Sequence, residues 1–545
     1  MLPKDGDLGE LSNWRPIALL PIFYKVFSKL VYNRISIQLF QYQSWDQHGF
    51  TPGIRIEDAL LCAEVVLEYH EEFTLPIWML SMDMRKAFDM IDHLALINAL
   101  RSKGLSEEYI SLLSLLYADQ SGTVNRSSAF LIQRGVKQGD TLSAILFNCV
   151  LDIAFDAWLL SLHHEGIYIG HGLPRLTNIR YADDIMLYAK SLNELKDMIG
   201  KLIDELRKIG LTLNAKKTKI LRCNPSEDDS TLNFTEISGE FVKILDDDES
   251  HKYLGKQLSA SASSRASIEF SNRKRSAWAS FHKHKSVLLD HNVSLRLRLK
   301  YFDACIGPAM LFGMSVLPMT KGRLQELDRI QRKMMRRIVG WRRIEDEDWS
   351  ITMKRMKTRL EWGQTLFYCE PWTIRFARIQ WRYIQHLIGA YPLLWARIMC
   401  KFNIYPTDDP QSEFLPHRYP GHPRMRWDDH IRSFCNKIWP ELRGRHWFDI
   451  LCHHDLSKYE DEYVLYIANL WGIDSCIYAV SCCSLCVVTF CFILRLERLH
   501  FFFYSFALAS GPRLSRCELD LTWLWSSCAS RIIQSFWFHE IILQS

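Results

Sequence analysis

The first 475 residues lack the features that mark secreted proteins. The amino terminus, MLPKDGDLGELSNWRPI, has no basic segment followed by an apolar one, so it does not resemble a signal sequence. Fifteen cysteines are present in 545 residues, but eight of them are scattered singly through residues 1–475. Such scattering excludes a small disulfide framework and is typical of a reducing compartment. We therefore expect an intracellular protein, in the nucleus or the cytoplasm.

Zinc-site spacings, internal repeats and a strong net charge are also missing. No paired cysteine or cysteine–histidine spacing recurs as a zinc site requires, and the net charge is only +5. Hydrophobic residues make up 48% of the chain, which excludes a largely disordered protein. A chain of this length has room for about three or four domains.

Positive charge is concentrated in two stretches. Residues 271–300 contain eight Lys or Arg against the single Asp290, and residues 321–343 contain nine against Glu326 and Asp328. Either stretch alone is typical of a solvated helix face. Two such stretches, each interleaved with tryptophan, favour a surface that follows a phosphate backbone. The pattern predicts a nucleic-acid partner.

Hydrophobic periodicity predicts alternating helices and strands in the first half of the chain. The predicted helices lie within 14–40 and over 56–72, 92–102, 146–163 and 194–210, the last ending at a left-handed Gly210. The predicted strands lie over 77–84, 177–189 and 211–223. The apolar face of the first helix is expected to carry Val26, Leu30, Ile35 and Leu39. This order predicts an α+β fold with helices on one face of a small sheet, and residues 265–475 are mostly helical in pattern.

Two adjacent carboxylates, Asp183 and Asp184, interrupt the apolar sequence RYADDIMLY at 180–188. A hairpin turn alone would explain them, because Asp side chains bond nearby backbone in turns. A third carboxylate, Asp83, ends the strand-like stretch IWMLSMD. If that strand lies beside the hairpin, three like charges meet at one edge, which requires cations. Carboxylates suit Mg²⁺, and two such ions support phosphoryl transfer, so the pattern predicts polymerase chemistry; three unrelated aspartates remain the alternative.

Seven sequence blocks, in order over most of residues 10–340, resemble the reverse transcriptase of LINE-type non-LTR retrotransposons. The blocks are NWRPIALLPIFYKVFSKLVYNRI, QHGFTPGIRIEDAL, SMDMRKAFD, RGVKQGDTLSAILFN, YADD, GLTLNAKKTKIL and KYLGKQL. The resemblance implies an RNA-directed DNA polymerase that extends a primer 3′-OH on an RNA template with dNTPs, as part of retrotransposition. It implies an RNA template, a DNA primer and dNTPs as partners, and it predicts no protein partner.

The resemblance also implies a right-hand polymerase fold of fingers, palm and thumb. The expected segments are fingers 1–76, palm with fingers insertions 77–262, helical thumb 263–345, a helical C-terminal region 346–475 and an apolar tail 476–545. The thumb would grip an RNA–DNA hybrid through its basic stripe. Within the C-terminal region, GHPRMRWDDHI at 421–431 fits a nucleic-acid contact, although Trp427 fits packing equally well.

Metal and proton-transfer roles follow from the resemblance motif by motif. Asp83 and Asp183 are expected to hold two Mg²⁺ ions, with Mn²⁺ as an alternative, and Asp184 completes the site. Lys217 matches the family lysine that lies near the triphosphate and protonates the leaving pyrophosphate, although a plain surface lysine is the alternative.

Nucleotide and primer contacts are implied in the same way. Phe88 matches an aromatic gate against the ribose 2′-OH, with a core phenylalanine as the alternative. Gln138 and Gly139 belong beside the incoming nucleotide and template. The turn formed by Tyr253, Leu254 and Gly255 resembles the primer grip.

Departures from the family pattern weigh against full activity. Thr51 and Ile54 stand where many relatives have basic residues, so triphosphate binding would rest on Arg15, Arg55 or Lys86, or be weakened. In the next block Thr141 and Ala144 stand where the family usually has prolines, which is a mild change. The sequence shows no endonuclease of the usual kind, so we expect a truncated or degraded copy. An inactive remnant that only binds RNA or RNA–DNA hybrid is the main alternative, and an intron-maturase-like splicing helper would need an RNA-binding domain that we do not identify.

The tail from residue 476 differs from the rest in composition. Residues 476–494 form nineteen residues without a charge, which is long enough for a membrane-spanning helix. Five of the nineteen are cysteine, which favours a tail from an unrelated or shifted reading frame over a membrane anchor or a buried segment. A membrane location is expected only if 476–494 spans.

Overall fold

The computed structural model describes residues 2–3, 7, 9–10, 13–124, 128–170, 172–340, 344–366, 369–401 and 425–470. The chain divides into two units, Met1–Ser475 and Cys476–Ser545. The predicted tail, with its candidate membrane segment, lies outside the described residues, as do residues 421–424. The elements below all belong to the first unit.

The strands are short and mostly precede residue 260. They are β1 (Leu2–Pro3), β2 (Trp14–Arg15), β3 (Ile77–Met82), β4 (Ser121–Gly122), β5 (Phe130–Leu131), β6 (Asn178–Tyr181), β7 (Asp184–Ala189), β8 (Lys219–Cys223), β9 (Phe234–Ile237), β10 (Glu240–Ile244), β11 (His251–Tyr253) and β12 (Lys256–Leu258). Six of them form one sheet in the order β6–β7–β3–β8–β10–β9. Strand β3 lies in its centre, antiparallel to β7 and β8, whereas β8 and β10 are parallel.

Helices surround this sheet and make up nearly all of the described chain after residue 260. They are α1 (Ile22–Gln41), α2 (Ile56–Glu72), α3 (Ala87–Met90), α4 (His93–Ser102), α5 (Glu107–Tyr117), α6 (Ser143–Leu160), α7 (Leu192–Lys208), α8 (Glu227–Ser230), α9 (Ala262–Lys283), α10 (Lys285–Leu288), α11 (Leu295–Cys305), α12 (Gly307–Leu311), α13 (Lys321–Val339), α14 (Trp349–Leu366), α15 (Trp372–Gly389), α16 (Trp395–Lys401), α17 (Asp429–Ile438), α18 (Trp447–Cys452) and α19 (Glu460–Leu470). Short 3-10 turns lie at Met314–Val316, Pro440–Leu442 and Leu456–Lys458.

The sheet is covered on both faces, so the prediction of helices on one face is wrong. Trp78, Leu80 and Met82 of β3 join a core formed with α4, α6 and α7. Helix α2 contacts β6 and β8 and also packs against α9 and α16. All six residues of β3 are buried, which explains why its sequence, IWMLSM, does not alternate between apolar and polar residues.

Helix α2 is buried on every side, although its sequence is amphipathic. Every residue from 58 to 70 is buried, including Asp58, Glu64 and Glu68. The carboxylates take buried partners instead of facing water, as buried charges must. The helical region after residue 260 therefore packs around α2 and the sheet.

Helix α1 turns a different face inward from the one that its apolar residues predict. Ile35 and Leu39 are buried as expected, but Val26 and Leu30 are more than half exposed. The Ser28 hydroxyl, which is buried, donates to the Asp140 carboxylate, and this bond selects the inward face.

Helix α6 is the only helix in the described ranges that is long and apolar enough to cross a membrane. Two thirds of that window is buried inside the molecule, where it packs against α4 and α7. The composition of α6 is thus that of a core helix.

Candidate active site

Three aspartates lie at one edge of the central sheet. The register of β3 on β7 places Asp83 one step beyond the paired residues, opposite Asp184, the first residue of β7. Asp183 lies in the turn that joins β6 to β7. The hairpin predicted from RYADDIMLY and the strand that ends at Asp83 are therefore neighbours, as expected.

The charges of these aspartates interact. Partial burial, together with the neighbouring Asp83, raises the pKa of Asp183, while Arg15 and Lys217 oppose the shift. Asp184 keeps contact with solvent, yet the surrounding protein and the charges of Asp183 and Asp83 raise its pKa to about 7. Among the described residues no three His, Cys, Asp or Glu side chains are grouped tightly enough to form a ready-made metal site. Because like charges repel, carboxylates in this arrangement come closer together when a proton or a cation offsets their charge.

The loop before β8 holds Asp83 in place. The Asn214 side-chain amide donates to the Asp83 carboxylate over 2.8 Å, and the Asn214 backbone N–H donates to the Asp83 carbonyl over 2.9 Å. The Asp83 N–H donates in turn to the Thr218 hydroxyl over 3.2 Å. Sequence reasoning singled out Lys217 in this loop but missed Asn214, whose amide was a usable signal beside the expected metal site.

Gln47 fixes the turn that carries Asp183. Its side-chain oxygen accepts the N–H groups of Ala182 and Gly49, each over 2.9 Å, and the side chain is fully buried. Ala182 has φ +56°, a left-handed conformation that an alanine adopts only when its surroundings hold it. A Cβ on Gly49 would lie 2.2 Å from the Ala182 nitrogen, so only glycine fits there. Sequence reasoning missed this role of the QHGF block.

A cleft of about 1270 Å³ opens beside the aspartates. The predicted residues that line it are Asp83, Asp183, Phe88, Gln138, Gly139, Arg15, Lys86 and Lys217. The cleft wall thus contains the acidic pair Asp83 and Asp183, and it also contains three predicted cationic residues, Arg15, Lys86 and Lys217.

Aromatic packing sets the position of Phe88 in the cleft wall. Its ring stacks on Phe147 with centroids 4.4 Å apart and planes 4° apart, and the edge of Phe50 approaches at 6.3 Å. The ring is therefore held by two neighbours while it still lines the cleft. The stacked ring fits the core alternative, and because the ring also lines the cleft, its role as a gate stays a prediction.

Gln138 and Gly139 are held against two other segments. The Gln138 amide donates to the Asp89 carboxylate over 3.0 Å, and its carbonyl accepts the N–H of Ala18 over 2.9 Å. Gly139 lines the cleft and has φ +108°, a region that favours glycine, and a Cβ there would lie 3.2 Å from the Ala18 carbonyl oxygen.

Arg55 is not brought into the cleft. It is exposed and immediately precedes helix α2, where its N–H donates to Asp58 over 2.7 Å. Thr51 and Ile54 line a different cavity, on the other side of the same loop. The sequence analysis grouped Arg55 with the nucleotide-binding residues. The loop that separates Arg55 from the cleft cannot be recognised from hydrophobic periodicity.

The segment that resembles the primer grip forms a tight hairpin between β11 and β12. Leu254 and Gly255 occupy its two-residue turn with φ +45° and +85°, which suits the twist of the paired strands. Tyr253 is buried, and the pKa of its hydroxyl is raised by that burial and then by the nearby Asp184. The hairpin therefore lies beside the acidic edge.

The described part of the RWDDHI segment packs inside the protein. Arg426 pairs with Glu72 and its guanidinium lies over the Tyr69 ring, 4.4 Å from the centroid. Trp427 is buried, and its backbone N–H donates to the Glu68 carboxylate over 3.3 Å. Of the two alternatives for this segment, the structure favours packing over a nucleic-acid contact.

A central antiparallel strand pair with clustered aspartates at its edge, inside a cleft with cationic walls, defines a palm of the nucleic-acid polymerase type. Residues 2–258 match the family model described as "Reverse transcriptase (RNA-dependent DNA polymerase)". This part of the chain is a reverse transcriptase domain, as the sequence blocks implied.

Three similar proteins come from transposable elements. The chain is 25% identical over 350 residues to the "Retrovirus-related Pol polyprotein from type-1 retrotransposable element R2" of Popillia japonica, covering 62% of this chain and 46% of that protein. It is 28% identical to the type-2 element R2DM polyprotein of Drosophila melanogaster, covering 48% and 25%. A Xenopus laevis protein, "Transposon TX1 uncharacterized 149 kDa protein", is 31% identical and covers 36% and 15%. The chain spans less than half the length of these relatives. The predicted resemblance to non-LTR retrotransposon reverse transcriptases is confirmed.

Solved structures of telomerase show a weaker likeness. Apo telomerase from Candida tropicalis matches with 12% identity and a TM-score of 0.36, covering 70% of this chain and 63% of that one. A form of it truncated from the C-terminal domain matches with 14% identity and a TM-score of 0.30, covering 41% and 45%. The polymerase fold is assigned from the sequence family and from the sheet itself.

Proposed function

We propose that this chain is an RNA-directed DNA polymerase that extends a primer 3′-OH on an RNA template with dNTPs, as part of retrotransposition. The observation that carries the proposal is the meeting of Asp83, Asp183 and Asp184 at one sheet edge beside the cleft. The template, the primer and the dNTPs are its proposed partners.

Divalent ions fit the donor set at this edge. Reverse transcriptases as a family use divalent metal ions, and carboxylate oxygens are the ligands that Mg²⁺ prefers. Asp83 and Asp183 would hold two Mg²⁺ ions and Asp184 would complete the site; Mn²⁺ is the alternative ion. When bound, such ions stabilise charge on the attacking and leaving oxygens of a phosphoryl transfer.

The protein's own residues bind and orient the nucleotide. Arg15, Lys86 and Lys217 line the cleft and supply positive charge for a triphosphate. The Lys217 ammonium lies near enough to Asp183 and Asp184 to lower the pKa of both, so it is placed to give a proton to the departing pyrophosphate. The Gly139 backbone lets the substrate approach closely.

An inactive remnant is the rival reading. Thr51 and Ile54, which stand at basic positions of the family, favour this reading together with the unusual tail, but both residues line the other cavity rather than the cleft. Arg15, Lys86 and Lys217 line the cleft instead. The structure therefore weakens this reading.

Primer extension on an RNA template tests the proposal directly. A labelled DNA primer annealed to RNA is incubated with the protein, dNTPs and Mg²⁺, and product length is measured. We expect template-dependent extension that a chelator abolishes. A protein that binds the hybrid tightly but never lengthens the primer would support the remnant and exclude the polymerase.

Replacing Phe88 by Val is expected to relax selection of the sugar. The smaller side chain opens space above Phe147, where a ribose 2′-OH would otherwise meet the ring. A steric contact of this size is worth about 1–3 kcal/mol, so the preference for dNTPs over rNTPs should fall at least about tenfold. The measurement is the ratio of kcat/KM for matched dNTP and rNTP. An unchanged ratio would make Phe88 a packing residue only.

Replacing Gln47 by Leu is expected to lower kcat about tenfold with little change in KM. The variant leaves the buried N–H groups of Ala182 and Gly49 without an acceptor, a loss of about 1–3 kcal/mol that loosens the turn carrying Asp183. Steady-state primer extension measures the effect. Gln38→Leu, at an exposed amide on α1, is the matched control. Equal kcat values for the two variants would contradict the positioning role.

A further inference from the structure

A second cavity, of about 930 Å³, lies between the end of α1 with the loop that follows it and the end of α15 with the loop before α16. We call it the outer groove. Its wall includes Trp45, Thr51, His386, Gly389 and Tyr391. Neither the proposed chemistry nor the expected nucleotide contacts use these residues.

Two aromatic rings form an open platform in the outer groove. Trp45 and Tyr391 meet edge to face with centroids 5.6 Å apart and planes 83° apart. Their exposed fractions, 43% and 68%, are large for aromatic residues that belong to two different segments. Rings held by the fold yet open to solvent are the platform on which unpaired bases stack.

The remaining lining is polar but carries little charge. Among the described residues of the groove only His386 can be charged near neutral pH, and its Nε2 is hydrogen-bonded to the buried Asp58 over 2.9 Å. Gln41 adds an amide group, which can bond the edges of bases, whereas the Gln43 amide nitrogen already donates to the Gln47 carbonyl and the Thr51 hydroxyl. The exposed Arg55 directly follows Ile54 of the wall, so positive charge lies next to the groove rather than inside it. The uncharged interior of the groove suits a nucleic-acid base. The neighbouring cation suits a phosphate that lies outside the groove.

The outer groove adjoins the catalytic cleft through consecutive residues. Phe50 lines the cleft and Thr51 lines the groove, and the Thr51 hydroxyl donates to the Gln47 carbonyl over 2.8 Å. A single strand that leaves the cleft across this loop would reach the rings. The basic helices of the expected thumb belong to another part of the chain, where the duplex is expected. The strand at the groove would therefore be unpaired template.

We propose that the outer groove binds a base of the single-stranded RNA template before it enters the cleft. The inference rests on the proposed function, because the template is a substrate only of a polymerase. It assigns Trp45 and Tyr391 as stacking residues and Arg55 as a phosphate contact.

Binding of two hybrids separates this site from the cleft. One RNA–DNA hybrid is blunt and the other has an unpaired 5′ RNA extension of about ten nucleotides, and dissociation constants are measured by anisotropy of a labelled primer. The wild-type protein is expected to bind the extended hybrid more tightly. Because stacking on aromatic rings contributes to the affinity for unpaired bases, Trp45→Ala with Tyr391→Ala should weaken binding of the extended hybrid about tenfold and leave the blunt one unchanged.

Two further variants keep the test sharp. Gly389→Leu fills the groove without removing a ring, since no atom lies within 4 Å of the position its Cβ would take, and it should give the same selective loss. Tyr42→Ala removes a neighbouring exposed ring that does not line the groove and should change neither constant.

The outcomes divide cleanly. If the ring variants weaken binding of both hybrids equally, or weaken neither, the groove is not a template site. In the case of no weakening, the two rings would serve a peptide or another occupant. A wild-type protein that prefers the extended hybrid through these rings but extends no primer would overturn the polymerase and not the RNA site. Normal extension with no preference for the extended hybrid would overturn the groove alone.

Discussion

Primer extension is expected to fall about a thousandfold when Asp183 is replaced by Asn, while binding of the RNA–DNA hybrid is retained. The substitution keeps the shape of the side chain in the hairpin turn but removes one of the charges that a divalent ion requires. Divalent ions contribute several kcal/mol to phosphoryl transfer, and 1.36 kcal/mol is tenfold in rate. The measurement is single-turnover extension of a labelled primer, alongside the hybrid dissociation constant.

A matched control is available on the surface. Asp204→Asn changes an exposed aspartate of helix α7 whose partner is Arg207, three residues along, and it should leave extension unchanged. If Asp183→Asn retained activity within about tenfold of the control, the sheet edge could not be the catalytic centre, since 1.36 kcal/mol would be all that the charge contributes.

Replacing Glu64 by Gln is expected to destabilise the first unit by about 3 kcal/mol or more. Glu64 bonds Lys256 and Arg265, each over 2.8 Å, and all three side chains are buried. Removing one member of a buried ionic group leaves the others without compensation, which typically costs about 3–5 kcal/mol. The midpoint of thermal unfolding should fall clearly. Glu107→Gln, which breaks an exposed pair with Arg101, is the control and should leave the midpoint nearly unchanged.

The same group predicts how stability depends on pH. Burial alone would raise the pKa of Glu64, but Lys256 and Arg265 outweigh it and hold the pKa at about 2. A carboxyl whose pKa is depressed on folding stabilises the protein above its unfolded pKa, about 4.3, and loses that contribution as pH falls toward 2. The wild-type midpoint should therefore drop more steeply than that of Glu64→Gln over this range. Parallel curves for the two proteins would contradict the ionic role.

Local patterns predicted the acidic edge well because each depends on a few neighbouring residues. A run of apolar residues ending at Asp83, and a second broken by Asp183, specify strands whatever the rest of the chain does. Gly210 ends its helix region with φ +87°, as predicted, since a Cβ there would lie 2.7 Å from the Met90 carbonyl. The pairing of the two strand regions could then be predicted from chemistry, because three carboxylates at one sheet edge indicate a shared cation site.

The same reasoning failed where a residue's contacts lie far away in the sequence. Nothing within helix α2 shows that Lys256 and Arg265, about two hundred residues later, bury Glu64. Helix α1 failed for a similar reason, because its inward face is selected by Asp140 in another segment. Arg55 was assigned by motif position, and only the path of the loop shows that it faces away from the cleft.

The start of helix α9 limits how the molecule could open around a duplex. Arg265 is anchored to Glu64, Glu269 accepts the N–H of Gln257 over 2.8 Å, and Arg273 donates to the Gly255 carbonyl. Three successive turns of the helix are thus fastened to the β11–β12 hairpin and to α2. We infer that any swing of the later helices pivots beyond Arg273, so that the β11–β12 hairpin and the first turns of α9 travel as one rigid piece.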